Sequence, residues 1–137
     1  MVQRVVGGIY YFIAWQSLAQ MNQYKSYVYL CELDGNILLA KINSKSFPHT
    51  TQIKIFQSAY REVNVIMRDC YLDCGRLIKD AITPALFDQL PEDTFRGFIR
   101  VDDLRAMLAA FTRSRTLSLI EKRIVVDSIQ NRIFELQ

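Results

Sequence analysis

The chain has 137 residues, of which 50% are hydrophobic, 12% aromatic and 23% charged, and its formal net charge is +3. This length and apolar content suit one globular domain with a full core, and they exclude two independent domains and a chain that is disordered throughout. The mild positive charge does not by itself predict nucleic-acid binding. We therefore expect a single domain over residues 1–137, in which a β-rich part over about residues 1–80 carries a helical part over about residues 81–137 packed on it.

The three cysteines, Cys31, Cys70 and Cys74, form no Cys-x-x-Cys pair, and His49 is the single histidine. An odd cysteine count without a secretory signal is typical of reduced thiols in the cytosol. The opening residues hold no basic stretch that leads into an uninterrupted apolar run, so we expect a cytoplasmic protein that does not enter a membrane. A zinc site would need thiols that do not converge locally, and we therefore expect no metal and no cofactor.

An aromatic and β-branched run over residues 5–15 predicts the first strand. The Gly7-Gly8 pair inside this run permits a bulge or a sharp bend. The polar stretch that follows, over residues 16–23, predicts a loop or a short helical turn.

The clearest local signal is a pair of apolar runs, over residues 27–33 and 36–43, that flank Asp34-Gly35. This dipeptide tolerates the positive φ that both central positions of a two-residue hairpin turn require. The sequence therefore predicts a β-hairpin at this point.

Two further strands are predicted before the helical part begins. Residues 44–51, which include Pro48, predict a loop, and residues 52–55 alternate polar with apolar side chains, as a half-buried strand does. Residues 58–64 are polar and predict a connection, after which residues 65–74 return to a strand-like composition. Five such strands need closure to bury one face and protect their edges, so we expect an α+β fold in which a small SH3-like antiparallel β-barrel is followed by C-terminal helices.

The C-terminal part predicts three helices. Residues 84–90 predict a short helix, and residues 91–93 predict a turn. Asp102 is the predicted cap of a second helix. Ser118 and Glu121 match a capping box that opens a last helix, which ends at about Phe134. The first of these two helices has one predicted buried stripe, formed by Leu104, Met107, Leu108 and Phe111. The second has a broad apolar side, part of which is expected to pack on the barrel, formed by Ile120, Ile124, Val125, Ile129 and Ile133. Any part of the last stripe that the domain leaves uncovered is a candidate surface for a dimer or a partner.

Four short segments carry a family resemblance. They are residues 6–11 (VGGIYY), 24–30 (YKSYVYL), 39–45 (LAKINSK) and 68–73 (RDCYLD). In this order, over about residues 5–80, they resemble strands of the PemK/MazF-like toxin superfamily, whose members have an SH3-like barrel followed by helices. The resemblance implies a homodimer, an antitoxin partner and, if the chain is an enzyme, a metal-independent endoribonuclease that cleaves single-stranded RNA through attack of a ribose 2′-OH on the neighbouring phosphate.

The resemblance also implies a site, because this reaction needs a base, a proton donor and cations beside the phosphate. By position, the catalytic residues are Lys25, Ser44, Asp69 and Arg68. The residues expected to bind substrate are Tyr24, Lys45 and His49.

Several departures leave alternatives open. The family generally has an arginine where this chain has Lys25, and no histidine precedes the second strand. Arg68 and Asp69 are adjacent in a predicted strand, so their side chains should point to opposite faces. Asp69 also suits a hydrogen bond to a loop amide. A degenerate relative without nuclease activity is therefore an alternative, and so is a non-catalytic interaction module of a phage or mobile element that binds a host or defence protein.

Overall fold

The structure, a computed structural model, describes residues 1–14, 23–48 and 51–137. His49 lies outside the described residues, as does most of the connection predicted over residues 16–23. The strands are β1 (Gly8–Ile13), β2 (Tyr24–Leu33), β3 (Asn36–Asn43), β4 (Gln52–Ile55), β5 (Cys70–Asp73) and β6 (Phe95–Phe98). The helices are α1 (Pro84–Asp88), α2 (Val101–Arg113) and α3 (Leu119–Glu135).

The predicted hairpin is confirmed and joins β2 to β3. Leu33 pairs with Asn36, and the two residues between them have positive φ angles, 52° at Asp34 and 78° at Gly35. Both angles lie in the left-handed region, which Gly adopts freely and Asp tolerates better than most residues. Local sequence chemistry therefore determines this turn.

All described strand pairings are antiparallel, and they form one curled six-stranded sheet in the order β4-β5-β3-β2-β1-β6. Within the described residues, β4 and β6 are the two edges, so the sheet is a half-barrel. The coarse prediction, a curled antiparallel sheet with C-terminal helices, is confirmed.

Two elements differ from the prediction. The strand expected over residues 65–74 begins only at Cys70, because the chain first makes tight turns in which the N–H of Ile66 donates to the carbonyl of Val63. The sheet also has a sixth strand, β6, inside the part that was predicted to be helical. β6 is only four residues long and Gly97 interrupts it between two phenylalanines, so its own sequence gives a weak strand signal and the strand forms through pairing with β1.

The sheet is covered on both faces. One face, which we call the helical face, buries Val28, Leu30 and Leu72 against α2 and α3. The other, which we call the groove face, buries Tyr10, Tyr27, Tyr29 and Leu39 around Phe87 of α1. The helix α1 covers only the β1–β2 side of the groove face, and the rest of that face forms the site described below.

The helix predictions are largely confirmed. The capping box of α3 forms, with Ser118 and Glu121 bonded reciprocally, whereas α2 begins at Val101 after Arg100 rather than at a cap provided by Asp102. The buried members of the predicted stripes are Leu104, Met107 and Phe111 in α2, and Val125, Ile129 and Ile133 in α3. Ile120 belongs to the uncovered part of the predicted apolar side and is 68% exposed, because it lies in the first turn of α3, beyond the part of the helix that packs on the domain.

Candidate functional site

Polar side chains from neighbouring strands meet on the groove face beyond the area that α1 covers. Lys41 of β3 lies opposite Tyr27 of β2. On the other side of Lys41 lies β5. Ile42 pairs with Leu72 in this antiparallel ladder, so the next position along places Asp73 across from Lys41. Because side chains alternate along a strand, these residues share one face of the sheet.

These residues form the floor of an open groove of about 720 Å³. Its polar described lining residues are Lys41, Asn43, Thr51, Asp73, Arg76, Lys79, Asp80 and Thr116. The groove is large enough to accept a nucleotide-sized ligand.

Positive charge is concentrated around Lys41. Partial burial lowers the pKa of the Lys41 ammonium below its ordinary value of 10.5, the neighbouring cations Lys25 and Arg76 lower it further, and Asp73 opposes the change. Two like charges against one carboxylate leave the amine short of compensating negative charge. An anion in the groove would supply that charge, so the arrangement favours an anionic ligand.

Two of the acidic groups near the groove, Asp73 and Glu121, are engaged by other groups of the protein. The Asp73 carboxylate accepts a hydrogen bond of 2.9 Å from the N–H of Gly75, which fixes the carboxylate at the end of β5. Lys79 forms an ion pair with Glu121 of α3, and this pairing lowers the pKa of Glu121. The charge of Lys79 is therefore largely neutralised, which leaves Lys25, Lys41 and Arg76 as the cations that define the site; we call them the lysine–arginine cluster.

One of the four predicted catalytic residues, Lys25, belongs to this cluster. Asp69 does not: its carboxylate accepts a hydrogen bond of 2.8 Å from the N–H of Gln57 and lies 4.0 Å from Nζ of Lys54. The loop-amide alternative for Asp69 is thus the one that the structure supports. The expectation that Arg68 and Asp69 occupy a strand is wrong, because both precede β5 and are exposed.

The remaining predicted residues lie at two places. Ser44 and Lys45 are exposed directly after the last residue of β3, Asn43, which lines the groove. Tyr24 opens β2 and stacks on Tyr11 of β1 instead of facing the groove. His49 lies outside the described residues.

Sequence reasoning assigned no role to Lys41, Asp73 and Arg76. One signal was available, because Lys41 is a charged residue within a strand whose preceding residues, Ile37 to Ala40, are all apolar and buried. A lysine in such a position either extends to solvent or serves a site. The proximity of Asp73 has no sequence signal, since it depends on the β3–β5 register.

The thiols are removed from this chemistry. Cys31, Cys70 and Cys74 are free and buried, and burial raises the pKa of Cys31 and Cys70 to about 11. A thiol with a raised pKa carries little of the reactive thiolate. Within residues 1–14, 23–48 and 51–137, no group of three or more His, Cys, Asp or Glu side chains is arranged to hold a metal ion.

Comparison with protein-family models, with curated proteins and with solved structures finds no match for this chain. In the part of the chain that the structure describes, no helix combines the length and the apolar character needed to cross a membrane.

Proposed function

We propose that this chain binds single-stranded RNA on the groove face, with backbone phosphates on the lysine–arginine cluster. The observation that carries the proposal is the crowding of Lys25 and Arg76 around Lys41 with Asp73 as the opposing carboxylate. Lysine and arginine bind phosphate through charge-assisted hydrogen bonds, and a phosphate here would relieve their mutual repulsion. The open groove accommodates a flexible single strand.

We further propose that the half-barrel is a divergent SH3-like barrel of the PemK/MazF-like kind and that the protein acts on RNA in the cytoplasm. In 2′-OH attack, the new bond joins O2′ to phosphorus, the O5′–phosphorus bond breaks, and a proton moves from O2′ to O5′. The lowered pKa makes the Lys41 amine a better acceptor for the first proton than a lysine at its ordinary pKa, and we assign it that role. In this proposal Lys25 and Arg76 stabilise the charge that develops on the phosphate.

The test measures binding of a fluorescein-labelled single-stranded RNA at several salt concentrations. Arg76→Gln is compared with Arg123→Gln, since both positions are exposed arginines and Arg123, on α3, does not line the groove. We expect Arg76→Gln to weaken binding and to reduce the salt slope by about one, and Arg123→Gln to change neither. Equal effects of the two variants would contradict the proposed site.

Cleavage is measured on the same RNA in the presence of a metal chelator. We expect products with a 2′,3′-cyclic phosphate, and we expect Lys41→Gln to abolish them while Asp69→Asn retains them. RNA that is bound but not cut by the unmodified protein would restrict the function to binding, as expected for a degenerate relative.

A second candidate function, protein interaction, is favoured by apolar side chains at the two ends of α3. Leu119 is 82% exposed, Ile120 68% and Phe134 80%. Such residues are typical of a surface that binds another protein, here a second copy of the chain, an antitoxin or a host defence protein. Size-exclusion chromatography with light scattering tests self-association: a dimer that becomes a monomer in Phe134→Ser supports a homodimer through α3, and a monomeric unmodified protein excludes it.

A further inference from the structure

A second group of side chains forms a row across β2, β1 and β6 on the helical face, near the end of β1 and the start of β2. Tyr24 of β2 and Tyr11 of β1 stack with ring centroids 5.1 Å apart and an interplanar angle of 28°. The guanidinium carbon of Arg96, from β6, lies 5.2 Å from the Tyr11 ring centroid. We call these three residues the aromatic row.

The aromatic row is held in place from outside the sheet. Nε of Arg96 donates a hydrogen bond of 2.5 Å to the carbonyl of Asp93, and Nη1 donates one of 3.0 Å to Oδ1 of Asn64. These bonds use two of the five N–H donors of the guanidinium and fix its plane. The ring of Tyr11 is half-buried, so the row is preorganised and does not need to form when a ligand arrives.

The row borders a cavity of about 810 Å³, which is also lined by Asn64, Met67, Asp93 and Thr94. Tyr24 is 58% exposed, so part of its ring is accessible to a ligand. A tyrosine pair, a fixed guanidinium and an amide side chain together suit a flat heteroaromatic ring that carries hydrogen-bond acceptors. An unpaired nucleobase has this chemistry, because every base has a π-face and polar edges.

The row is connected to the lysine–arginine cluster through β2. Tyr24 and Lys25 are consecutive in this strand, so their Cα atoms are about 3.8 Å apart and their side chains point to opposite faces. The cation of Lys25 and the exposed ring of Tyr24 therefore lie at one point of β2, on opposite faces of the sheet.

We propose that the aromatic row is a nucleobase-stacking subsite for the RNA whose phosphates bind the lysine–arginine cluster. This inference rests on the proposed function and extends it, because it assigns base stacking and phosphate binding to separate faces of the sheet. Stacking uses the flat face that all bases share, so this subsite binds a base without strong preference for its identity.

The test uses a short fluorescein-labelled oligouridine and the same oligomer with abasic positions. Tyr24→Ala is expected to weaken binding of the oligouridine by about tenfold, the loss typical of one stacked base, and to leave the salt slope unchanged because no phosphate contact is lost. The abasic oligomer should bind the unmodified protein and Tyr24→Ala equally. Phe56→Ala is the matched control, since Phe56 is 53% exposed and lies at the β4 end of the sheet.

The outcomes separate the two proposals. If Lys41→Gln weakens binding while Tyr24→Ala binds oligouridine as tightly as Phe56→Ala does, the stacking subsite is wrong and the phosphate site stands. If the unmodified protein binds neither oligomer, the proposed function is wrong and the subsite falls with it. Tyr24→Phe should retain oligouridine affinity, because the ring is kept, and a tenfold loss in that variant would also overturn the stacking role.

Discussion

The hydroxyl of Tyr60 donates a hydrogen bond of 2.5 Å to the carboxylate of Asp103 and accepts one of 2.9 Å from the N–H of Arg100. The Tyr60 ring is fully buried, and burial followed by the nearby Asp103 carboxylate raises the pKa of its hydroxyl. These two bonds join the connection between β4 and β5 to the first turn of α2. The Tyr60 hydroxyl therefore adds a buried polar anchor to the apolar packing that holds α2 on the sheet.

Replacing Tyr60 with phenylalanine is expected to reduce the free energy of unfolding by about 1–3 kcal/mol, because the N–H of Arg100 and the carboxylate of Asp103 lose a buried partner. Urea denaturation followed by circular dichroism measures the change. Tyr71→Phe, at a partly exposed position, is the control and should change the stability by less than about 0.5 kcal/mol. Equal stabilities of the two variants would show that the Tyr60 hydroxyl does not anchor α2.

Two glycines with positive φ provide a second prediction. Gly35 has open space around the position of a Cβ atom, so Gly35→Ala should cost about 1–2 kcal/mol through backbone conformation alone. At Gly97, where φ is 142°, a Cβ would lie 2.9 Å from Cγ2 of Val63. We expect Gly97→Ala to destabilise the protein more than Gly35→Ala in urea denaturation, and the reverse order would contradict the close packing of β6 on the Val63 segment.

Local chemistry explains which parts of the fold could be predicted from the sequence. The Asp34-Gly35 turn, the alternation in β4 and the capping box at Ser118 are each determined by residues within a few positions of one another, and each forms as predicted. β6 was missed because it is stabilised by pairing with β1, about ninety residues away in sequence, and not by its own composition. Tyr60 was placed in a polar connection, although tertiary contacts bury it completely.

The same distinction applies to the site. Lys25 could be identified because a short sequence motif surrounds it, whereas the Lys41–Asp73 pair depends on the register of two strands that are not consecutive in sequence. Asp69 accepts its hydrogen bond from the N–H of Gln57, which becomes its neighbour only after the chain turns between β4 and β5, so the sequence around Asp69 does not indicate this partner. Sequence motifs therefore located one cation of the site, and strand pairing determined the others.

The N-terminal segment is attached to the domain by ion pairs that predict a pH dependence. Arg4 bonds Asp88 of α1 at 2.8 Å and Glu32 of β2 at 2.5 Å, and the bond to Arg4 lowers the pKa of the Asp88 carboxyl below its ordinary value of 3.8. A carboxyl with a lowered pKa stabilises the fold above the pKa of the unfolded chain, and the contribution is lost as the pH falls through the folded value. Both carboxylates are more than a third exposed, so solvent screening keeps the effect small.

Arg4→Gln should therefore lower the melting temperature at neutral pH, and the difference from the unmodified protein should shrink as the pH falls below 3.8. Thermal melts across this range measure it. Arg105→Gln, which removes an exposed pair with Asp102 within one helix, is the control and should have little effect at any pH. A difference for Arg4→Gln that persists unchanged in acid would show that packing, not the ion pair, attaches the segment.

The titration of Lys41 gives the last prediction, because its pKa reports the charge balance of the groove directly. Burial, Lys25 and Arg76 hold this pKa below 10.5. The unfolded chain therefore binds more protons than the folded protein between the lowered value and 10.5, and stability rises with pH across that window.

NMR titration of the lysine side-chain signals should show the lowered pKa in the unmodified protein. Lys25→Gln should raise it by removing a repelling cation, and Asp73→Asn should lower it further by removing the opposing carboxylate. Inorganic phosphate should raise it as well if the groove binds anions. A Lys41 pKa at 10.5 that neither substitution moves would mean that the side chain extends into solvent, and the lysine–arginine cluster would then have no shared anion site.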